Sequence, residues 1–148
     1  MEQTQLSQAG SEQLIHDVAT ALSRNGYMHF LDLEELRVIS LNEKIHFIEE
    51  EMYSIEESPE SYLQILPYSD AARQALRRQF IQNIGEPEIY AKLNAAVNSY
   101  DPSAAYKRVL KQYNDIAQQW QEFRETHFIA QAQKWLYENG LGAFIGKP

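Results

Sequence analysis

The chain has 148 residues, 44% of them hydrophobic, and a formal net charge of −8. These values indicate one globular domain and disfavour nucleic acid as a partner, because phosphate contacts need a dense basic surface. There is no cysteine, which excludes disulfides, thiolate metal ligands and a cysteine nucleophile. An apolar run long enough to span a membrane is missing, and the polar first residues lack the pattern of a signal peptide, so we expect a cytoplasmic protein.

Residues 1–10 are polar and are predicted to form a flexible N-terminus. Ser11 can cap a first helix, and Asn25-Gly26 can end it. The apolar face of this helix consists of Leu14, Ile15, Val18, Ala19 and Leu22. The short apolar stretch at residues 27–31 predicts an extended connector or a single strand. Because no partner segment with clean alternation follows, the pattern predicts no sheet.

Asp32 and Glu35 form a capping-box pattern that predicts a second helix over residues 32–57. Its apolar residues recur at steps of three and four and are Val38, Leu41, Ile45, Ile48, Met52 and Ile55. The other face of this helix is acidic. Ser58-Pro59 can end it and begin a short third helix that runs through Leu66.

Ser69 or Asp70 can cap a fourth helix, and Glu86-Pro87 can begin a fifth. The last helix is predicted over residues 102–139, capped by Asp101. Its apolar stripe is Tyr106, Val109, Tyr113, Ile116, Trp120, Phe123, His127, Ala130, Lys134 and Tyr137. The chain therefore predicts an all-α fold, a single helical domain over residues 11–148 with five to seven helices and a long C-terminal helix.

Local positive charge occurs in two places in this acidic chain. The cations are Arg73, Arg77 and Arg78 in one segment and Lys107, Arg108 and Lys111 in another. Each group is interpreted as a solvated helix face or, more specifically, as a patch that faces an anion. The sequence favours the solvated face.

A di-metal carboxylate site is one interpretation of the histidines, because helical bundles build such sites from pairs of Glu-x-x-His motifs. Glu43 and His46 form one such motif, but Arg124 stands where the second glutamate would precede His127. A solvated acidic face is the better interpretation of the first motif.

His127 is the residue of the last helix that can carry chemistry. A helical histidine among aromatic side chains can ligate a haem iron, with Trp120 and Phe123 as apolar walls and Arg124 pairing with a propionate. A histidine on an aromatic stripe can also be a hydrogen-bonded core residue. The residues by themselves favour the core interpretation.

The segment Phe123-Arg124-Glu-Thr-His127-Phe-Ile-Ala130 resembles the F-R-x-x-H-x-x-[AIV] signature around the proximal haem histidine of the indoleamine/tryptophan 2,3-dioxygenase superfamily. The upstream stretch RRQFI at residues 77–81 is similar to the family's H-R-x-F-[IL] stretch. Gly140-Leu-Gly142-Ala-Phe144 falls where the family carries a glycine-rich loop. The resemblance covers about residues 60–146.

This resemblance implies a small haem protein in which His127 is the metal ligand and Arg124 supports the haem edge, with Arg77 or Arg78 near the propionates. The family inserts oxygen into an indole or related ring, so the implied partner is a small aromatic substrate. The alternative is a non-catalytic helical module that forms a homo-oligomer through amphipathic helices at residues 32–57 and 102–139.

Overall fold

The computed structural model of the protein describes residues 7–42 and 48–145. Its helices are α1 (Gln8–Ser23), α2 (Ile48–Glu57), α3 (Asp70–Ile81), α4 (Pro87–Val97), α5 (Pro102–Gln112), α6 (Asn114–Glu138) and α7 (Gly142–Ile145). Its strands are β1 (Tyr27–Asp32), β2 (Arg37–Asn42) and β3 (Tyr62–Ile65), and a 3-10 turn occupies Pro59–Ser61. No helix in this part of the chain has the length and apolar character needed to cross a membrane.

The chain divides into two compact units. The first, which we call the sheet unit, consists of Met1–Tyr68 and Phe128–Pro148. The second, the helical unit, consists of Ser69–His127. The helix α6 contributes its first part to the helical unit and the remainder to the sheet unit.

β1 is the central strand of a three-stranded antiparallel sheet with the order β2-β1-β3. Tyr27 lies opposite Asn42 of β2, and His29 lies opposite Ile65 of β3. A buried central strand needs hydrogen-bond partners for its backbone on both sides, and β2 and β3 supply them. The predicted all-α fold is therefore confirmed only in a coarser form: the protein is mainly α-helical and also contains a small antiparallel sheet.

The two faces of the sheet carry different cores, because side chains alternate along a strand. Phe30 and Leu41 pack with Ile55 of α2 on one face. The neighbours of Phe30, His29 and Leu31, point to the other face and are buried. α1 contacts β2 and β3, and its buried residues are Leu14, Ile15, Val18, Ala19, Ala21 and Leu22.

The turn between β1 and β2 replaces the beginning of the predicted second helix. Asp32 Oδ1 accepts hydrogen bonds from the backbone N–H groups of Glu34 and Glu35, at 2.9 and 3.1 Å, as the cap of a helix would. The chain then reverses at Leu36, whose φ of 53° is left-handed. The prediction of one helix over residues 32–57 is wrong, and its described helical part is α2.

Two further expectations for this region change. Glu43 and His46, which form the Glu-x-x-His motif, lie outside the described residues. The short helix predicted to run through Leu66 is the 3-10 turn followed by β3. The backbone of β3 pairs with β1, so this segment is extended where a helix was predicted.

α1 begins earlier than predicted. Its cap is Ser7, whose hydroxyl oxygen accepts a hydrogen bond from the N–H of Gly10 at 3.0 Å. Ser11 lies inside the helix and donates its hydroxyl hydrogen to the carbonyl oxygen of Phe144 at 2.7 Å. This bond joins α1 to α7, two elements that also pack together.

The helical unit consists of α3, α4, α5 and the first part of α6, which surround one core. The oxygens of Ser69 and Asp101 accept backbone N–H groups of Ala72 and Ala104, at 3.1 and 3.4 Å, so both predicted caps are confirmed. The buried residues of this core are Phe80, Ile81, Ile89, Leu93, Val97, Tyr106, Leu110 and Ile116.

The helix predicted over residues 102–139 consists of two helices that break at Tyr113. The backbone of Tyr113 has φ −135° and ψ 87°, which is not helical, and its hydroxyl oxygen accepts Lys92 Nζ–H at 2.8 Å. The ring centroids of Tyr106 and Trp120 lie 5.1 Å apart, whereas one straight helix would separate the two residues by about 21 Å along its axis. The chain therefore changes direction between α5 and α6, and α6 is the long C-terminal helix.

The break at Tyr113 and the strand β2 also remove the basis of the self-association hypothesis. That hypothesis used amphipathic helices at residues 32–57 and 102–139, and neither exists as a single helix. The homo-oligomer itself stays a prediction.

Aromatic rings fill the centre of the helical unit. The ring of Phe80 lies 5.3 Å from that of Trp120 and 5.4 Å from that of Phe123. Such pairs contribute about 0.5–1.5 kcal/mol each beyond their buried area. Tyr106 is 2% exposed, and its hydroxyl has no hydrogen-bond partner among the described residues. Burial raises the pKa of this phenol, and the nearby charge of Arg77 opposes the rise.

We expect Tyr106→Phe to leave the protein as stable as the wild type or more stable by about 1 kcal/mol, because a buried hydroxyl without a partner costs desolvation. Urea denaturation followed by circular dichroism measures this. Tyr113→Phe is the matched control, since it removes the hydrogen bond from Lys92 and should lower the stability. A clear loss of stability in Tyr106→Phe would contradict the assignment of an unpartnered hydroxyl.

Candidate functional site

Trp120, Phe123, Arg124 and His127, the residues predicted to hold haem, lie together on the part of α6 that belongs to the helical unit. Trp120 and Phe123 pack against the aromatic core around Phe80. Their positions on the helix stripe are therefore explained by tertiary packing. A stripe of this kind has the same appearance in sequence as the wall of a cofactor pocket.

Arg124 and His127 are half-buried. Burial lowers the pKa of His127, because the imidazolium ion loses hydration. Burial also lowers the pKa of Arg73, and the positive charges of Arg124 and Arg77 lower it further, against the opposing charge of Asp70. α3 and α6 thus bring several guanidinium groups near one another in the helical unit.

His29 is buried in the core of the sheet unit, and no motif in the sequence indicated it. It is 1% exposed on β1. Nε2 lies 2.8 Å from the carbonyl oxygen of Arg24, and Nδ1 lies 2.7 Å from Ser40 Oγ. Because a carbonyl can only accept, Nε2 carries the hydrogen, and in the neutral ring Nδ1 accepts from the hydroxyl of Ser40. The alternation of side chains along β1 could have indicated that His29 points into the core. This inference requires that the segment is first recognised as a strand of a sheet.

A groove of about 310 Å³ lies in the sheet unit. We call it the acidic groove. It is lined by Glu34, Tyr53, Ser54, Glu57, Ser58, Ser61 and Tyr62. These side chains come from the β1–β2 turn, the end of α2, and the 3-10 turn with the start of β3. The lining therefore combines two carboxylates, three hydroxyls and two phenol rings.

Short hydrogen bonds fix the walls of the acidic groove. Asp32 holds the turn that carries Glu34, through the backbone N–H of that residue. The N–H of Leu33 donates to the carbonyl oxygen of Ser61 at 2.9 Å, which ties this turn to the 3-10 turn. The N–H of Ser61 donates to the carbonyl oxygen of Ser58 at 3.0 Å. The groove is thus formed by backbone that is already ordered.

The acidic charge of the chain is concentrated in the sheet unit. This unit has 14 Asp and Glu residues and 5 Lys and Arg residues, whereas the helical unit has 7 and 8. The two units therefore carry net charges of −9 and +1. A strongly acidic surface raises the local concentration of cations and speeds their encounter. The acidic groove consequently lies in the part of the protein that attracts positive charge.

A second cavity, of about 170 Å³, lies in the helical unit. It is lined by Arg78, Ile81, Gln82, Tyr90, Asn94 and Asn98. Arg78 Nη2 donates to Asn98 Oδ1 at 3.1 Å, and Asn98 Nδ2 donates to the carbonyl oxygen of Asn94 at 2.9 Å. The guanidinium of Arg78 therefore binds at the C-terminal end of α4, where the helix dipole favours a cation.

The comparisons with known proteins give one family. The sequence model of the family described as "Uncharacterised protein family (UPF0158)" matches residues 10–146. The UPF0158 protein PA5073 of Pseudomonas aeruginosa is 30% identical over 127 residues, which cover 86% of this chain and 82% of that protein. No solved structure matches.

The predicted resemblance to the indoleamine/tryptophan 2,3-dioxygenase superfamily is therefore wrong, because the family that matches is a different one. Packing explains part of the similarity, since Phe80, Ile81 and Phe123 of the two matching stretches belong to the core of the helical unit. Haem binding by His127 and an oxygenase reaction on an aromatic substrate stay untested predictions. Within the described ranges, no three side chains of His, Asp or Glu are grouped to hold a metal ion.

We expect Asp32→Ala to lower the free energy of unfolding by about 2 kcal/mol, because two backbone N–H groups lose a buried, charged acceptor. Asp32→Asn is the matched control: it retains the oxygen that accepts these bonds and should cost about 1 kcal/mol or less. Urea denaturation measures both. Equal losses in the two variants would show that the charge of Asp32, and not its cap geometry, stabilises the turn.

The lowered pKa of His127 makes stability depend on pH. The unfolded chain binds the proton more readily than the folded protein, so the free energy of unfolding should decrease as the pH falls below about 6.5. We expect His127→Gln to reduce this decrease between pH 7 and pH 5, measured by denaturation at several pH values. His16→Gln, at an exposed position of α1, serves as the control. If the stability of His127→Gln depends on pH as strongly as that of the wild type, the lowered pKa of His127 is contradicted.

Proposed function

The chain belongs to the UPF0158 family, and we propose that it acts as a protein-interaction module whose acidic groove binds a cationic segment of a partner protein. The observation that carries this proposal is the groove itself, where Glu34 and Glu57 line a preformed cavity in a unit of net charge −9. A partner side chain that enters it meets carboxylates, hydroxyls and aromatic rings. Lysine and arginine are the side chains that complement this combination.

The chemistry of the lining favours a guanidinium or ammonium group. The carboxylates of Glu34 and Glu57 accept charge-assisted hydrogen bonds, and a guanidinium can form two of them to one carboxylate. The rings of Tyr53 and Tyr62 offer faces on which a cation is attracted. Tyr53 is 63% exposed, so a ligand can cover it and bury apolar area that the free protein leaves in water.

The order of the groove supports binding in a second way. Association is weakened when loops must be ordered by the partner. Here the turn after β1 and the 3-10 turn are already joined by the hydrogen bond from Leu33 to Ser61. The conformational entropy lost on binding would therefore come mainly from the cationic segment. Its affinity should also depend on salt, because the charges at the mouth of the groove are exposed.

The proposal is tested with a fluorescein-labelled peptide of nine residues that alternates arginine and serine, measured by fluorescence anisotropy at low ionic strength. We expect it to bind the wild type, and a peptide with glutamine in place of arginine not to bind. The double variant Glu34→Gln/Glu57→Gln should weaken binding about five- to tenfold, since it removes two ion pairs.

The matched control is Glu12→Gln/Glu56→Gln, which changes the net charge equally at exposed positions that do not line the groove. We expect it to change the affinity less than about twofold. Equal weakening in both double variants would mean that only the total charge matters. That result, or no binding of the arginine peptide to the wild type, would refute the proposal.

A further inference from the structure

The helix α5 carries the opposite charge to the acidic groove. Its sequence, PSAAYKRVLKQ, contains three cations and no acidic residue. Such a run is unusual in a chain of net charge −8. We call Lys107, Arg108 and Lys111 the basic face. The proposed function in the sheet unit does not account for it.

The buried side of α5 packs in the core of the helical unit, so the basic face is exposed to solvent. Tyr106 and Leu110 are buried in the core of the helical unit, so the helix cannot rotate about its axis. Lys107, Arg108 and Lys111 are exposed, and no ion pair joins any of them to another residue that the structure describes. Three cations are therefore displayed on a rigid helix.

The spacing of the basic face suits the acidic groove. Lys107 and Lys111 are one turn apart, so their side chains leave the same side of α5 about 6 Å from each other. A groove of about 310 Å³ admits the ends of such side chains, while a helix about 10 Å wide stays at its mouth. The exposed ring of Tyr53 lies at this groove and offers an apolar surface to the methylene chains of lysine.

We propose that the basic face of α5 in one copy of the chain docks into the acidic groove of a second copy. Charge complementarity between the two surfaces, both present in every copy, is the reason for choosing a second copy as the occupant. This inference rests on the proposed function of the groove and names its partner. Because the two surfaces differ, the contact is heterologous, and its strength decreases as ionic strength rises.

Sedimentation equilibrium of the full chain tests the inference at about 20 mM and about 500 mM salt, conditions that span weak and strong screening. We expect association at low salt and monomers at high salt. Lys107→Glu/Lys111→Glu and Glu34→Lys/Glu57→Lys should each weaken self-association about tenfold. Arg37→Glu/Lys134→Glu, which reverses two exposed cations elsewhere, is the control for total charge and should retain it.

Mixing the two charge-reversed variants provides the decisive measurement. Each variant then meets a groove or a helix of opposite charge on the other, so the mixture should associate more strongly than either variant alone. A wild type that is monomeric at low salt, or a mixture that stays monomeric, would overturn the inference. The arginine peptide separates the two proposals. If Lys107→Glu/Lys111→Glu binds this peptide while the wild type is monomeric, the groove function survives and the second copy is not its partner.

Discussion

Burial of the strand β1 is the constraint on which the sheet unit depends. Phe30 packs on one face and Leu31 on the other, so both faces of the strand are removed from water. The backbone of such a strand cannot be satisfied by solvent, and each edge needs a paired neighbour. The segments Arg37–Asn42 and Tyr62–Ile65 become strands for this reason. The turn between β1 and β2 and the 3-10 turn before β3 then form walls of the acidic groove.

Local sequence signals such as capping residues predicted most of the helices. These signals failed where contacts between distant segments determine the structure. Asp32 is instructive, because its carboxylate accepts the N–H groups two and three residues later, and this bond is the same in a helix cap and in a hairpin turn. The pairing of β1, which Asp32 ends, with β2 distinguishes the two. Tyr113 is a comparable case: no glycine or proline marks the break, which arises because Tyr106 and Trp120 meet in one core. Caps at Ser69 and Asp101 were predictable, since each needs only its own next three residues.

The candidate site was less predictable than the fold. Sequence patterns drew attention to His127 on an aromatic stripe, whereas His29 on the central strand is buried with a hydrogen-bond partner on each ring nitrogen. Six of the seven residues that line the acidic groove fall between Tyr53 and Tyr62, but this short run of tyrosine, serine and glutamate does not by itself indicate a cavity. Glu34 joins them because the turn after β1 is hydrogen-bonded to the 3-10 turn. The separation of charge into an acidic and a nearly neutral unit was likewise hidden in the total of −8, because that total adds the charges of the two units together.

The return of the C-terminal residues to the sheet unit has a consequence for the order in which the protein can fold during synthesis. The helical unit is continuous in sequence and has every residue of its core once position 127 has been made. The sheet unit, by contrast, receives Phe128, Ala132, Leu136 and Leu141 last, and these are buried residues. The hydroxyl of Ser11 meets its partner only when Phe144, 133 positions later, has left the ribosome. The helical unit can therefore complete its core from a continuous segment, whereas the core of the sheet unit is complete only when residues far apart in the sequence have come together, a kind of contact that slows folding.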